Sequence, residues 1–422
     1  MVYTRRNYLA NRNVQRETQK ARLRRQVVSE TDEMAEEIPL RQRFSIRLLP
    51  VLIVLCLLAA AAVWFYWTNR HYDSLSIVRE KEIGSDTTGS EAFRGYEPFA
   101  KGFLRYSKDG AAYLNGDGEP VWERSYQMQD PIAAVSGDYA VIADQFAQSL
   151  YIFNDSSNTG AAMTVLPITQ VTISETGVVF AILKDEKADY ITAFKADGSA
   201  IDLSIKSVIN GDGYPLDISV SPDGTELLTS YVSIENSQLV QKVIFRNFDE
   251  VGKEADARRV VGGFTEEFDG HLVGRVHFSS NEYSQAFYDG GIAFFSTRVL
   301  TSPALLGQAQ FEEEINSIAY SDQYAAVVLN TNEGEMPYRL VVYKANGTQL
   351  SSVDFDFPYT SFEIDGNNIL LYNENACRVY SLRGHELLAA DFPAPVSAVR
   401  RGSLPGELLA IGDGRLMKLK MK

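Results

Sequence analysis

The chain has 422 residues, with 40 Lys and Arg against 55 Asp and Glu for a formal net charge of −15, and two cysteines, Cys56 and Cys377. An acidic balance of this size argues against a nucleic-acid partner, because duplex affinity rests on Lys/Arg contacts to phosphate. Two cysteines so far apart exclude a CxxC zinc or redox centre.

Charge and hydropathy divide the chain in order. Residues 1–47 carry eleven basic and six acidic residues, a net +5, and read as a basic cytoplasmic tail, partly disordered. The run Leu48–Trp67, LLPVLIVLCLLAAAAVWFYW, holds twenty residues without a charge. At about 1.5 Å per residue it crosses a hydrocarbon core of about 30 Å. It ends in Trp64, Phe65, Tyr66 and Trp67, aromatics that suit a membrane interface and not a signal-peptidase site, so it is expected to be an uncleaved transmembrane helix. A buried core helix is the alternative, and it would seldom run so long without a polar face. The basic flank places the N-terminus in the cytoplasm by the positive-inside rule. The chain beyond the span has 29 basic against 49 acidic residues, a net −20, and is expected outside the cell membrane. Cys56 in the span and Cys377 in the exported part cannot pair.

Beyond a juxtamembrane segment, 68–95, a repeat of about 40 residues runs through 96–422. Short apolar segments ending in a polar residue recur at Pro131–Gly137, Ile168–Glu175, Pro215–Pro222, Ile315–Asp322, Thr360–Gly366 and Val396–Gly402, with a weaker copy at Leu272–Ser280. A second apolar run follows each, such as Gly177–Leu183 or Tyr324–Asn330, and a third closes on a turn, as in Arg339–Gly347. The runs are short and rich in Val, Ile, Tyr and Phe, so they read as strands. Asp117-Gly118, Asp197-Gly198, Asp223-Gly224, Asn346-Gly347, Asp413-Gly414 and Asp109-Gly110 supply hairpin turns. Serial antiparallel strands, three or four per period, predict an all-β fold, a β-propeller preceded by one transmembrane α-helix. Period starts near 98, 131, 168, 215, 271, 315, 360 and 396 give about eight blades; seven is the alternative, because Phe93–Gly102 is a poor first strand. The last period has room for three strands only, so Ser74–Ile83 is expected to supply the fourth and close the ring.

The segments Phe103–Met128 (FLRYSKDGAAYLNGDGEPVWERSYQM) and Ser136–Asn154 (SGDYAVIADQFAQSLYIFN), with the basic N-terminus and single span, resemble an uncharacterised, DUF5711-like family of single-pass membrane proteins of Firmicutes. The resemblance implies an extracytoplasmic quinoprotein-like or WD40-like propeller and a Gram-positive, clostridial-type host. It offers no catalytic residues to carry across.

Each constellation with a chemical reading also has a structural one. Tyr113–Trp122, YLNGDGEPVW, is similar to the tryptophan-docking motif of quinoprotein propellers, but Trp122 is the single tryptophan past the span, so blade docking is the better reading. Asn115, Asp117 and Glu119 alternate like an EF-hand start, without the Gly at position six and Glu at position twelve that a calcium loop needs. Asp365, Asn367, Asn373 and Glu374 have no fixed ligand spacing. His271 and His277, at about 3.3 Å per residue along one strand, are too far apart to share an ion, and His385 and His71 have no histidine partner nearby in sequence. Ser221-Pro222-Asp223-Gly224 resembles the blade turn of WD40-like and TolB-like propellers. No catalytic, cofactor-binding or metal-ligating residue is therefore assigned, and no cofactor is expected. Tyr283, Phe287, Phe357 and Tyr359 are candidates for an aromatic recognition patch on loops, with core packing as the alternative.

The expected function is a non-catalytic, membrane-tethered binding or scaffolding module at the cell envelope. Its expected partners are the lipid bilayer through the span and an envelope protein or glycan on the propeller loops, with no nucleic acid. A propeller-type enzyme, either a quinone-dependent oxidoreductase or a hydrolase with acidic groups in the channel, is the alternative. A transmembrane sensor signalling through the basic tail is a lesser one.

Overall fold

A computed structural model describes residues 14, 17–23, 50–59, 70–83, 95–156, 159–209, 211–235, 237–255, 258–331 and 334–422. The chain divides into two compact units, Met1–Arg70 and His71–Lys422. In the first, residues 17–23 and 50–59 are helical, while most of the basic tail and the ends of the apolar run Leu48–Trp67 lie outside the described residues. Among the described residues no helix is long and apolar enough to cross a membrane.

The second unit is a β-propeller. Its described strands form eight four-stranded antiparallel sheets, which settles the blade number at eight. Blades 1 to 7 are consecutive in sequence and begin at Gly95, Pro131, Ile168, Tyr214, Val273, Glu314 and Ser361. Gly95–Phe99 forms a regular first strand despite its weak signal, paired residue for residue with Gly102–Tyr106. Its Phe99 is fully buried against Tyr113 and Trp122.

Blade 8 is composite. Ala398–Arg401, Glu407–Gly412 and Arg415–Met421 supply its first three strands, and Leu75–Glu82 is the outermost. This closing strand pairs from Leu75 with Met421 to Glu82 with Arg415, with one bulge at Val78. Backbone bonds from Asp73 to Lys422 and from Ile83 to Gly414 continue the ladder at both ends. Start and end of the domain are therefore hydrogen-bonded into one sheet, which covers the edge that Arg415–Met421 would otherwise expose.

The core is distributed. Eight apolar clusters fill the eight interfaces between neighbouring blades, one of them at the seam, where Phe103, Leu114, Leu409 and Leu416 meet. Second strands such as Val179–Lys184 and Tyr324–Asn330 lie between two blades and are buried on both faces. That is why they read as continuous apolar runs without alternation. Outer strands keep one wet face, as in Ala200–Val208, where buried and exposed residues alternate.

Candidate functional site

The residues singled out in the sequence are mostly engaged in holding blades together. Trp122 is 4% exposed, stacks on Phe153 of blade 2 at 4.9 Å, and donates its indole N–H to Asn154 O at 3.0 Å, so it docks blade 1 on blade 2. Asn115 Oδ1 accepts the N–H groups of Asp117 and Glu119, both at 3.0 Å, which makes the segment a hairpin turn. Asp117 and Glu119 then pair with Arg79 and Lys81 of the closing strand across the seam. Ser221 donates to Asp223 Oδ1 at 2.6 Å while the same oxygen accepts Thr225 N, so both residues shape the turn. Asp365 accepts Arg401 N at 2.5 Å and Asn373 caps Asn375 and Ala376. Among the described residues no group of three or more His, Cys, Asp or Glu is placed to hold a metal.

The aromatic quartet does not form a patch. Phe287 and Phe357 are buried in the clusters between blades 5 and 6 and between blades 6 and 7. Phe287 lies within the strand Tyr283–Tyr288, not on a loop. Tyr359 is tied down by Asn316 and Ser317, and Arg298 covers the Tyr283 ring at 5.0 Å.

The structure instead brings together two features that the sequence did not single out. The first is a polar belt on the innermost strands, which neighbour one another around the axis. Gln170, Asp217, Arg275 and Ser317 come from blades 3, 4, 5 and 6. Asp217 accepts from Gln170, from Arg275 at 3.2 Å and from Val276 N at 2.7 Å, which joins three blades through one buried carboxylate. Glu363 of blade 7 accepts from Tyr372 OH at 2.7 Å, and Arg400 of blade 8 donates to carbonyls of blade 1 at Phe99, Ala100 and Gly102. Burial, with the nearby Glu363 carboxyl second, pushes Glu97 of blade 1 up to about 7. Glu363 is raised as well, by burial first. Tyr320 of blade 6 feels Arg275, Asp217 and Glu97 at once, so groups from four blades share one space. His277 lies against Tyr320 at 4.3 Å, and burial lowers it to about 4, so its ring is neutral near pH 7.

The second feature is sidedness. Interblade connections and the hairpins between second and third strands lie on one rim, the connector rim; the other turns lie on the opposite rim. On the connector rim of blade 2, Phe146, Met163 and Val165 are 66%, 73% and 84% exposed, on two loops tied together by Gln148. Blade 4 extends this rim with a hairpin of two ten-residue strands, whose tip pairs Ile234, 80% exposed, with Leu239. Acidic residues share the rim, with Asp185 and Glu186 on blade 3 and Glu266 and Glu267 after blade 4. The closing strand starts from the opposite rim, because Leu75 pairs with Met421 at the far end of its sheet. Some apolar residues on that opposite rim are exposed as well, at Val299, Leu300 and Leu404, without a projecting hairpin.

Comparisons with known proteins give the family and the fold. The model of a family described as a family of unknown function (DUF5711) matches residues 68–421. No curated protein matches the chain. Among solved structures, the computationally designed Ika8 protein is similar over 81% of this chain and 100% of its own, at 12% identity and a TM-score of 0.52. Sqt1 of Chaetomium thermophilum matches over 77% of this chain and 90% of its own, at 13% identity and 0.49. The Pan2 WD40 domain of Neurospora crassa matches over 69% and 88%, at 11% identity and 0.41. At these identities the likeness is one of fold alone.

Proposed function

The chain belongs to the DUF5711 family of unknown function, and from that premise we propose that it is a non-catalytic binding module, tethered to the cell membrane and turned toward the envelope. The uncharged run Leu48–Trp67 and its basic flank support the tether and an inside N-terminus. The observation that carries the binding role is the connector rim of blades 2 to 4. There Phe146, Met163, Val165 and Ile234 stand exposed on the rim opposite the one where the closing strand begins. The three on blade 2 stand on loops tied together by Gln148, apolar side chains grouped in this way mark interaction sites, and a loop platform needs no catalytic group to use them. Flanking carboxylates favour an envelope protein with a basic and apolar surface over an anionic polymer.

The test is crosslinked capture from intact cells with the full chain and with a V165E/I234E double variant. Both positions are exposed, so the variant keeps the fold. Loss of the captured partner in the variant supports the proposal. Equal capture by both proteins, or none by either, counts against it.

A propeller-type enzyme is the second reading, and the carboxyl pair Glu97 and Glu363 is what favours it, since an acid held near 7 suits proton transfer. Trp122, buried between blades, has no free face for a quinone. An E97Q variant that leaves every phenotype of a deletion strain fully complemented would remove this reading.

A further inference from the structure

The propeller holds the chain from its first residues. His71 Nδ1 meets Glu386 O at 3.1 Å, Tyr72 N donates to Leu387 O at 2.8 Å while its carbonyl accepts Ala389 N at 3.3 Å, and Asp73 N donates to Lys422 O at 3.0 Å. These bonds run along the outer strand of blade 7, Glu386–Asp391, and lead directly into the closing strand of blade 8. Only residues 68–70 therefore separate Trp67, the end of the uncharged run, from a residue fixed on the propeller. Four Cα steps reach at most about 14 Å, and the headgroup layer is itself about 5–8 Å deep. Given the tether proposed above, the rim at this entry is held within or just above the headgroups.

The surface there has the chemistry that such a layer accepts. The Tyr72 hydroxyl lies beside Gly406, and the loop that ends at Gly406 carries Leu404, 59% exposed. Arg383 in the last turn of blade 7 and Arg401 and Lys422 of blade 8 are exposed, and none of the three side chains is in a salt bridge among the described residues. The carboxylates at hand are engaged: Asp73 pairs with His71 at 2.9 Å, and Asp365 accepts the Arg401 N–H. A basic and apolar patch thus surrounds the entry, in a part of the chain with a net charge of −20. On the connector rim, by contrast, Asp185 and Glu186 stand exposed. Basic side chains are attracted to an anionic lipid surface, and an exposed leucine gains by leaving water.

We propose that this patch, Leu404 with Arg383, Arg401 and Lys422, docks on the anionic headgroup surface of the bilayer that holds the span, and so orients the propeller with its connector rim outward. The inference rests on the tether, and it uses none of the residues assigned to the partner on the connector rim.

The experiment is lipid quenching of the full chain reconstituted in phosphatidylcholine liposomes, with and without phosphatidylglycerol. A fluorescent residue replaces Leu404 or, as the control, Val165, and lipids with a nitroxide on the headgroup act as quenchers. Quenching is expected at position 404 and not at 165, and it is expected to be stronger with phosphatidylglycerol. In R383A/K422A the gain from phosphatidylglycerol should fall by about fivefold per basic residue removed. Both residues are exposed, so the variant keeps the fold. Flotation after an alkaline wash reads the tether separately. Chain that fails to float with the liposomes overturns the tether and this inference with it. Chain that floats yet is quenched equally at the two positions, or keeps its full phosphatidylglycerol dependence in R383A/K422A, overturns the docking alone.

Discussion

Closure of the ring by Leu75–Glu82 can be tested one N–H at a time. The strand is outermost in blade 8, so alternate N–H groups face its partner and solvent. Ile83 donates to Gly414 O at 2.9 Å, which fixes the alternation: the N–H groups of Ile83, Lys81 and Arg79 point inward, and those of Glu82 and Glu80 point outward. Proline removes the N–H, so its effect depends on which of the two it replaces. K81P loses one ladder bond, leaves the partner carbonyl without its donor, and crowds the ring against the neighbouring strand. Together these amount to roughly 2–3 kcal/mol. E82P loses only a solvated N–H and is expected within about 1 kcal/mol of wild type. The exposed pair of Lys81 with Glu119 contributes about 0–1 kcal/mol, and K81A measures it separately. Urea unfolding followed by circular dichroism gives the three values. Equal effects of K81P and E82P would refute the pairing of this strand with Arg415–Met421, and with it the closed ring.

Other substitutions probe the interfaces and the buried titratable groups. W122A empties a site between blades 1 and 2 and is expected to lose about 3–5 kcal/mol, whereas W122F keeps a ring against Phe153 and loses only the bond to Asn154 O, about 1–2 kcal/mol. A W122F stability equal to wild type would deny the N–H a docking role, and equal losses in the two variants would deny one to the stacked ring. Burial, with Asp223 second, pushes Glu226 up to about 8. The folded chain therefore keeps a proton that the unfolded chain releases near 4.5, and stability falls as pH rises from about 4.5 to about 8. E226Q should stabilise the domain at pH 8 by on the order of a few kcal/mol and much less at pH 5, as urea midpoints at the two pH values will read; a difference independent of pH would contradict it. His277 has the opposite sign. Its folded value of about 4 lies below the ordinary 6.5, so its contribution is lost as pH falls through that window. H277Q should flatten the acid limb of the stability profile, and an unchanged limb would place the loss elsewhere.

The fold is legible because a propeller repeats its local chemistry. Glycines of the turn dipeptides take positive φ at Gly118, Gly198, Gly224, Gly347 and Gly414, as hairpin turns require, while Gly110 does not and begins a strand instead. The missing fourth strand of the last period points back to Ser74–Ile83, where the closing strand lies. Individual side chains are less legible. Phe287 reads as a loop residue because its strand is buried on both faces, which erases the alternation that would place it. The polar belt does carry a signal, though a faint one. Gln170, Asp217, Arg275 and Ser317 each stand four residues before the serine that follows the first-strand motif, at Ser174, Ser221, Ser279 and Ser321. Aligning the repeats on that serine turns four separate polar residues into one ring.

The binding role rests on the connector rim, and site-specific photocrosslinking in living cells tests it most directly. A photoreactive residue would replace Phe146 or Val165 on that rim, and Val299 or Leu404 on the opposite one; all four are exposed, so each reports on its rim without disturbing the core. The account expects a discrete crosslinked species from Phe146 and Val165 and none from Val299 and Leu404. Adducts confined to Val299 and Leu404, or no adduct from any position, would contradict it.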